Sequence, residues 1–323
     1  SVGAVTDGSG EFVLNVKSIY TGELVVSSVG YQLLTYKINN TEAANLFYTF
    51  KLEIKESVLT GILVMNDAQR AAWLKIFKEN FLGITEEADK CKIKNIDAIY
   101  FLNGENKNSI YAYADTPLVI INELLGYTIS FDLIEFSFNK TKNSTYFLGY
   151  SRYEEMGDRK KRTRRRKQNY SGSTMHFYRS LIKDKLKQEG YALFAIKKQN
   201  SRNDSGEVKQ AKSVKSNSIS VAVKISSSDV LFKDSTSTNY FLKSADQLMV
   251  QYDEIPHSKF YLSNKVLVRG LNRFGFTSYI TILADKVKLD KAGIIYSPLS
   301  VAYDGFWVYE KLANQLPFDY TSE

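Results

Sequence analysis

The sequence predicts a strand-rich α+β chain in two parts, residues 1–64 and 65–323. Three observations predict it. Short alternating apolar runs broken by Gly, Asn and Asp fill the first part. The apolar period then changes to three and four beyond residue 65. Thereafter a few capped helices stand among many short runs rich in Val, Ile and aromatic residues. A length of 323 residues with 44% hydrophobic residues is sufficient for two cores.

Strands are expected at Glu11–Val16, Glu23–Ser28, Gln32–Ile38 and Leu46–Ile54. The "DGSG" at Asp7–Gly10 reads as a tight turn, because a phosphate-cradling glycine loop must open a helix and here a strand is expected to follow. In "NDAQRAAWLKIFKENFLG", Trp73, Ile76, Phe77 and Phe81 recur at helical spacing, Asn66 or Asp67 can cap the start and Gly83 can close the end. A helical turn follows from Thr85, whose hydroxyl can cap while Glu86 and Glu87 favour the positive end of the dipole. Strands at Ile96–Leu102 and Ser109–Ala114 come next. "TPLVIINELLG" reads as a short buried helix, with Thr116 as cap, Pro117 at the first helical position and Gly126 at the end. Tyr127–Tyr153 reads as a long hairpin about "NKTKNST".

Further on, Ser173 caps a helix to Glu189 that Gly190 ends. Its buried stripe is Met175, Tyr178, Ile182 and Leu186, with Phe177 and Leu181 beside them, and His176, Arg179, Lys183 and Lys187 fall on the other face. "YALFAI", "SISVAVKI", "SDVLFK", "QLMVQYD", "SKFYLS", "VLVRG" and "YITILADKV" read as strands. "NSRNDSGEVKQAKSVKSN" reads as a polar loop, and "DGFWVYEKLANQLPFDY" as a helix from about Phe306 stopped near Pro317.

Charge is concentrated in one place. Lys and Arg number 43 against 35 Asp and Glu, and eight of the nine residues from Arg159 to Lys167 are basic; without those eight the balance is 35 against 35. A neutral body with one cationic segment argues for a local site or a solvated connection, not for a basic fold. The mutual repulsion of the run predicts an extended, wet loop over residues 159–167. As a site, the run and the start of the following helix form an anion cradle: Arg164, Arg165 and Arg166 supply bidentate donors, the amides at Gly172 to Met175 converge on the ligand, and Tyr170 can stack on an aromatic or sugar ring. Ser173, His176 and Arg179 complete that set.

The remaining residues exclude several chemistries. A single Cys91 rules out an internal disulfide framework and a multi-thiolate zinc site, and reads as a small buried hydrophobe. A zinc carboxypeptidase needs a His and a Glu three apart with a second His downstream; the residues three beyond His176 and His257 are Arg179 and Phe260. Ser173 stands three before His176, but a capping hydroxyl is spent on the backbone and no serine elbow is present. Asp253, Glu254 and His257 are metal-ligand types in one solvated turn, which occurs often by chance. Glu154 and Glu155 point to opposite faces of a strand and do not form the facing pair of a glycosidase. No metal and no cofactor is expected. No apolar run approaches the roughly 20 residues of a membrane-spanning helix.

"TDGSGEF" followed by "GELVVSSVGYQ" resembles the second half of the carboxypeptidase-regulatory-like domain, a transthyretin-like β-sandwich found at the front of envelope proteins of Bacteroidetes. Asp7, Gly10, Phe12, Ser27, Gly30 and Tyr31 carry the resemblance over residues 1–64. It implies that the opening strands of that sandwich and an export signal lie upstream. "FLGITEEADKCKIKN", "YAYADTPLVIINELLGYTI", "YSGSTMHFYRSL" with the basic residues before it, and "GFWVYEKLANQLPFDY" resemble the part that follows in those same proteins. The chain is thereby identified as a member of that uncharacterised family, and the resemblance implies a periplasmic or outer-membrane-associated location. The family's name denotes an accessory domain of carboxypeptidases and implies no peptidase activity.

The expectation is therefore a non-enzymatic envelope binding or assembly protein that recognises an envelope protein, an acidic glycan or a lipid phosphate. A hydrolase of envelope polymers, with acids assembled only by the fold, is the alternative. Nucleic acid is disfavoured because Arg159–Lys167 contains no aromatic platform.

Overall fold

The computed structural model describes residues 4, 6–15, 21–26, 28, 31–32, 34–39, 46–53, 65–103, 108–199, 219–233, 239–253, 271–272, 275–296 and 298–322. It is a strand-rich, mixed α+β fold, as the sequence predicts. Two compact units divide it: Ser1–Leu82 with Glu87–Arg159, and Gly83–Glu86 with Lys160–Glu323. The division falls just after the long hairpin.

In the first unit, β1 (Thr21–Val26) and β2 (Leu34–Asn39) pair antiparallel. The Asp7 turn forms as expected, its carboxylate accepting from the backbone N–H of Ser9 and of Glu11, each at 2.9 Å. Residues 11–15 and 46–53 are not strands, whereas strands were expected at Glu11–Val16 and Leu46–Ile54; Val16 and Ile54 lie outside the described residues. The alternation at 46–53 reflects ring packing instead, with Phe50 5.3 Å from Tyr36 and 5.9 Å from Tyr48.

Helix α1 (Asp67–Phe81) starts where Asn66 accepts from the Gln69 N–H at 2.8 Å and ends two residues before Gly83, with Leu82 as its C-cap. Its Phe77 and Phe81 are wholly buried, a gain of about 1.5–3 kcal/mol each. Phe77 meets Phe136 at 4.7 Å, and Phe81 meets Phe131 at 5.0 Å and Phe147 at 5.3 Å. Helix α2 (Glu86–Asp89) is the expected short turn.

The sheet under α1 contains β3 (Cys91–Ile93), β4 (Ile99–Asn103), β5 (Ser109–Ala114), β6 (Leu118–Asn122), β7 (Tyr127–Asn139) and β8 (Ser144–Glu155), in the order β3-β6-β7-β5-β4 with β8 on the other edge of β7. β4 begins later than predicted because Ile96–Ala98 forms a 3₁₀ turn first. The predicted helix in "TPLVIINELLG" is corrected: Leu118–Asn122 is a strand, with Leu118, Ile120 and Asn122 buried and Val119 and Ile121 half-buried. A short apolar run has no period that separates helix from strand, and the β-branched Val119, Ile120 and Ile121 prefer the pleated site between β3 and β7.

At the start of the second unit a 3₁₀ segment, Arg159–Arg162, whose first residue still belongs to the first unit, runs into α3 (Thr163–Tyr170) and then α4 (Thr174–Ile182). Strands follow as β9 (Tyr191–Gln199), β10 (Ile219–Ile225), β11 (Leu231–Lys233), β12 (Tyr240–Leu242), β13 (Gln247–Tyr252), β14 (Leu271–Asn272), β15 (Gly275–Ile282), β16 (Val287–Leu289) and β17 (Val301–Gly305). The larger sheet runs β10-β9-β13-β15-β14 with β17 also on β15, and β11-β12-β16 form a smaller one. Phe177, Leu181, Leu193, Leu248, Ile280 and Trp307 share one core cluster. The polar loop at residues 200–217 and the strands expected at "SKFYLS" and "VLVRG" lie outside the described residues. The terminal helix is replaced by two 3₁₀ turns, Phe306–Tyr309 and Leu312–Asn314. Among the described residues, no helix is long and apolar enough to cross a membrane.

Phe81→Ala removes the ring on which three others converge. It is expected to lower stability by about 3–5 kcal/mol, read as an earlier urea midpoint, while Lys78→Ala on the exposed face changes it by at most about 0.5 kcal/mol.

Candidate functional site

The cationic run is ordered helix, which corrects the expectation of an extended loop over residues 159–167. No side chain caps α3. What favours it is the good helix propensity of Arg, Lys and Gln together with tertiary anchoring. Arg166 is only 1% exposed, and Arg165 bridges to the Glu86 carboxylate at 2.8 Å with 27% of its side chain exposed. Like-charge repulsion between solvated helix positions is a few tenths of a kcal/mol per pair, too little to oppose these anchors. Lys160, Lys161, Arg164 and Lys167 remain exposed.

The seven residues proposed for the anion cradle separate into groups. Arg164 is at the surface, Arg165 is engaged by Glu86 and Arg166 is buried. Tyr170, Ser173, His176 and Arg179 are brought together around the α3–α4 connection. The Tyr170 ring lies 4.8 Å from His176 and 5.5 Å from Tyr320, with the Arg179 guanidinium 5.6 Å from its centroid. Arg179 itself donates to three carbonyls, Ala292 at 3.0 Å and Tyr320 and Phe318 at 2.7 Å each, and so clasps the terminal segment.

The donors at the start of α4 are also engaged. The Gly172 N–H donates to His176 Nδ1 at 3.2 Å, the Ser173 N–H to the Tyr170 carbonyl at 3.1 Å and the His176 N–H to Ser173 Oγ at 3.2 Å. The Thr174 N–H is given to the Glu310 carboxyl. The positive end of the helix thus holds an acid of the chain itself, 136 residues downstream of Thr174. Burial pushes that carboxyl up to about 8, against the opposing effect of the Thr174 hydrogen bond. Its neighbour Lys311 is pushed down to about 8, again by burial.

His176 is 6% exposed, a correction to its expected place on the outer face with Lys183 and Lys187. Helix α4 ends at Ile182 and not at Glu189, since Asp184 takes a left-handed conformation (φ 53°), so the outer-face periodicity does not extend as far as predicted. The rings of Tyr170, Tyr191 and Tyr252 enclose the imidazole. Because Nδ1 accepts from Gly172, the ring proton of the neutral form sits on Nε2, which faces Glu189 Oε2 at 3.1 Å. The Tyr191 hydroxyl also lies 3.1 Å from Nδ1. Ser173 Oγ donates to the Tyr170 carbonyl at 2.7 Å, so its hydroxyl serves the connection between the helices. Burial, then the charges of Tyr252, Glu310, Tyr170 and Glu189, hold the Tyr191 phenol well above its usual range.

Two glycines make this packing feasible. Gly172 has φ +81°, and a Cβ there would come 2.8 Å from the Tyr252 ring. Gly190 has φ +79°, and a Cβ there would strike the Asp253 carboxylate. Trp307, itself buried, joins the group through its indole N–H, which donates to the Gly172 carbonyl at 2.8 Å.

Glu189, Tyr191, Tyr252, Trp307, Glu310 and Tyr320 were not found in the sequence. Only Glu189 and Tyr191 carried any local signal, by flanking the glycine that ends the predicted helix. Asp253 is described, its N–H donating to the Gly190 carbonyl at 3.1 Å, whereas Glu254 and His257 lie outside the described residues. Among the described residues no group of three or more His, Cys, Asp or Glu is placed to hold a metal. Cys91 is half-buried, its thiol pushed up to about 12 by burial and by Glu87 and Glu123.

Glu310 has a raised folded pKa, so between about 4.5 and about 8 the folded chain holds a proton that the unfolded chain has lost. Its contribution to stability therefore falls as pH rises through that window and is level above it. Glu310→Gln keeps an oxygen for the Thr174 N–H and removes the titration. Urea midpoints measured from pH 5 to pH 8 are expected to decline less in the variant, leaving it the more stable protein at pH 8. Gly172→Ala is expected to lower the midpoint at every pH, because both its φ and its space are unsuited to a side chain. No family model matches this chain, no curated protein matches it and no solved structure matches it.

Proposed function

We propose that the protein is a non-enzymatic binding or assembly module of the cell envelope and that it holds an anionic envelope component against the outer side of α3. The observation that carries this reading is the two-sided character of the cationic helix. Arg166 and Arg165 fix it on one side, while Lys161, Arg164 and Lys167 stand exposed within seven residues of one another on a body that is otherwise electrically balanced. An anchored helix presents its cations without the ordering cost that a mobile loop would meet on binding. A local field of this kind favours polyanions whose charges are closely spaced, such as lipid phosphates, acidic glycans or an acidic protein face.

The compartment and the transthyretin-like character of residues 1–64 form part of the same proposal and are supported by the sequence resemblance. The ligand surface in this reading is α3, and the start of α4 serves to hold α3 and the terminal segment in place. That shifts weight within the predicted set. Arg164 acts directly, Arg165 and Arg166 position the helix, and Tyr170, Ser173, His176 and Arg179 support the connection.

The test is co-sedimentation of the full chain with vesicles containing anionic lipid, with lipopolysaccharide and with an acidic glycan, across a range of salt. Lys161→Ala, Arg164→Ala and Lys167→Ala combined are expected to weaken binding to at least one of these roughly 100-fold, at about 1 kcal/mol per cation, and to flatten its salt dependence. Equal binding by the triple variant and the parent would remove α3 as the contact surface.

A further inference from the structure

β10 is the outermost strand of the larger sheet in the second unit, and among the described residues β9 is its one strand neighbour. Such an edge offers a row of backbone donors and acceptors, and proteins commonly protect it with proline, several charges, a bulge or covering structure. β10 has little of that protection. It pairs with β9 through seven consecutive residues without a register shift, contains no proline and has Lys224 as its only charge. Ser220, Val221, Ala222, Val223 and Lys224 are all exposed, with Val221 39% and Val223 40% accessible. A strand with one face on a core alternates between buried and exposed; residues 220–224 are instead exposed on both faces, and Ile225 at the strand's end packs against the core.

Its sequence indicates what covers it. "ISVAVKI" reads nearly the same in both directions about Ala222. A second copy of the strand, antiparallel and related by a two-fold axis at Ala222, sets Ile219 opposite Ile225, Val221 opposite Val223 and Ser220 opposite Lys224. Each valine then meets a valine on the same face, a favoured cross-strand pair, and each lysine meets a serine instead of its own copy. A slip of one residue would turn the valine face of one copy to the opposite side of the sheet from that of the other. A slip of two leaves the strand ends without partners, so the register centred on Ala222 is the one that pairs all seven residues.

We propose that β10 joins β10 of a second copy of this chain in an antiparallel pair centred on Ala222, giving a symmetric dimer with one sheet continuous across both copies. The contact is isologous, so it closes after two copies and does not propagate. It uses neither α3 nor the connection to α4, and it stands independently of the anion-binding reading.

The experiment is mass measurement of the full chain by light scattering during size-exclusion chromatography over a range of concentrations, for five proteins. The parent is expected to be a dimer. Val221→Lys with Val223→Lys places lysine opposite lysine twice and is expected to be a monomer. Val221→Glu with Val223→Lys alters the same two exposed sites but places Glu opposite Lys, and is expected to be a dimer again; it also shows that substitution there permits folding. Ala222→Cys in a Cys91→Ser background is expected to form a disulfide-linked dimer on oxidation, since directly opposed residues lie about 4.5–5.5 Å apart at Cα, within disulfide reach. Ser220→Cys in that background, opposite Lys224 in this register, is expected not to. A monomeric parent, a dimer that survives the double lysine variant, growth into larger assemblies, or cross-linking through Ser220→Cys in place of Ala222→Cys would each overturn the proposal.

Discussion

Helix α4 begins at a part-buried turn of the second unit, with Gly172 and His176 buried on either side of it, and buried backbone donors at a helix start need acceptors. That requirement organises much of what surrounds it. Ser173 turns its hydroxyl onto the His176 N–H, His176 turns its ring so that Nδ1 receives the Gly172 N–H, and Glu310 comes from the far end of the chain to meet Thr174. Once Nδ1 is an acceptor the proton lies on Nε2, and Glu189 is its natural partner. Gly172 must lack a side chain for Tyr252 to close over the group, and its carbonyl then ties down Trp307. Histidine, serine, glutamate and tyrosine converge here in a pattern that resembles catalytic machinery. The hydrogen bonds assign the serine hydroxyl and the imidazole Nδ1 to the backbone.

The same connection explains how eight basic residues in nine positions can be tolerated. A helix holding Arg166 in the interior would be strongly disfavoured if that charge were unsatisfied, and α3 leads directly into a segment that is already fixed at both ends. Arg165 reaches Glu86, and Thr85 beside it donates to Asn314 at 2.8 Å, so the short segment Gly83–Glu86 is tied to the carboxyl-terminal turns of its own unit. The Arg179 clasp on the carbonyls of Ala292, Phe318 and Tyr320 does the same from α4. The cations that remain outside are presented by a rigid support.

What could be read in the sequence was what neighbouring residues decide among themselves. Asn66 with Gln69, Ser173 with His176 and the Asp7 turn are contacts within four residues, and each appears where local chemistry places it. The long hairpin was legible because β7 and β8 alternate on either side of a polar turn closed by Asn139 and Lys142. "LVIIN" was misread because its side chains are compatible with either period and the choice is made by strands β3 and β7, distant in sequence. His176 was placed outside because helical periodicity assumes one buried face, whereas α4 is enclosed on a second side by Tyr191 and Tyr252. Glu310 had no local signature at all. An acid becomes a helix-terminal ligand through a fold that joins residues 174 and 310, and no spacing rule covers that distance.

The proposed surfaces both lie in the second unit, and their combination has a physical consequence. A short cationic segment, with Lys161 exposed just ahead of α3 and Arg164 and Lys167 exposed on it, binds a single anionic group weakly, since exposed charges are screened and each contributes about 1 kcal/mol at a membrane surface. Two-fold pairing through β10 doubles the number of such segments on one particle. On an extended polyanion the second contact becomes intramolecular, and its strength is set by effective concentration and not by the intrinsic affinity of one helix. The modest charge of α3 is then adequate for a surface that presents many phosphates or carboxylates, and inadequate for a small soluble anion. Selectivity for assembled envelope over free ligand would follow from geometry, without a pocket and without a specific contact to any one head group.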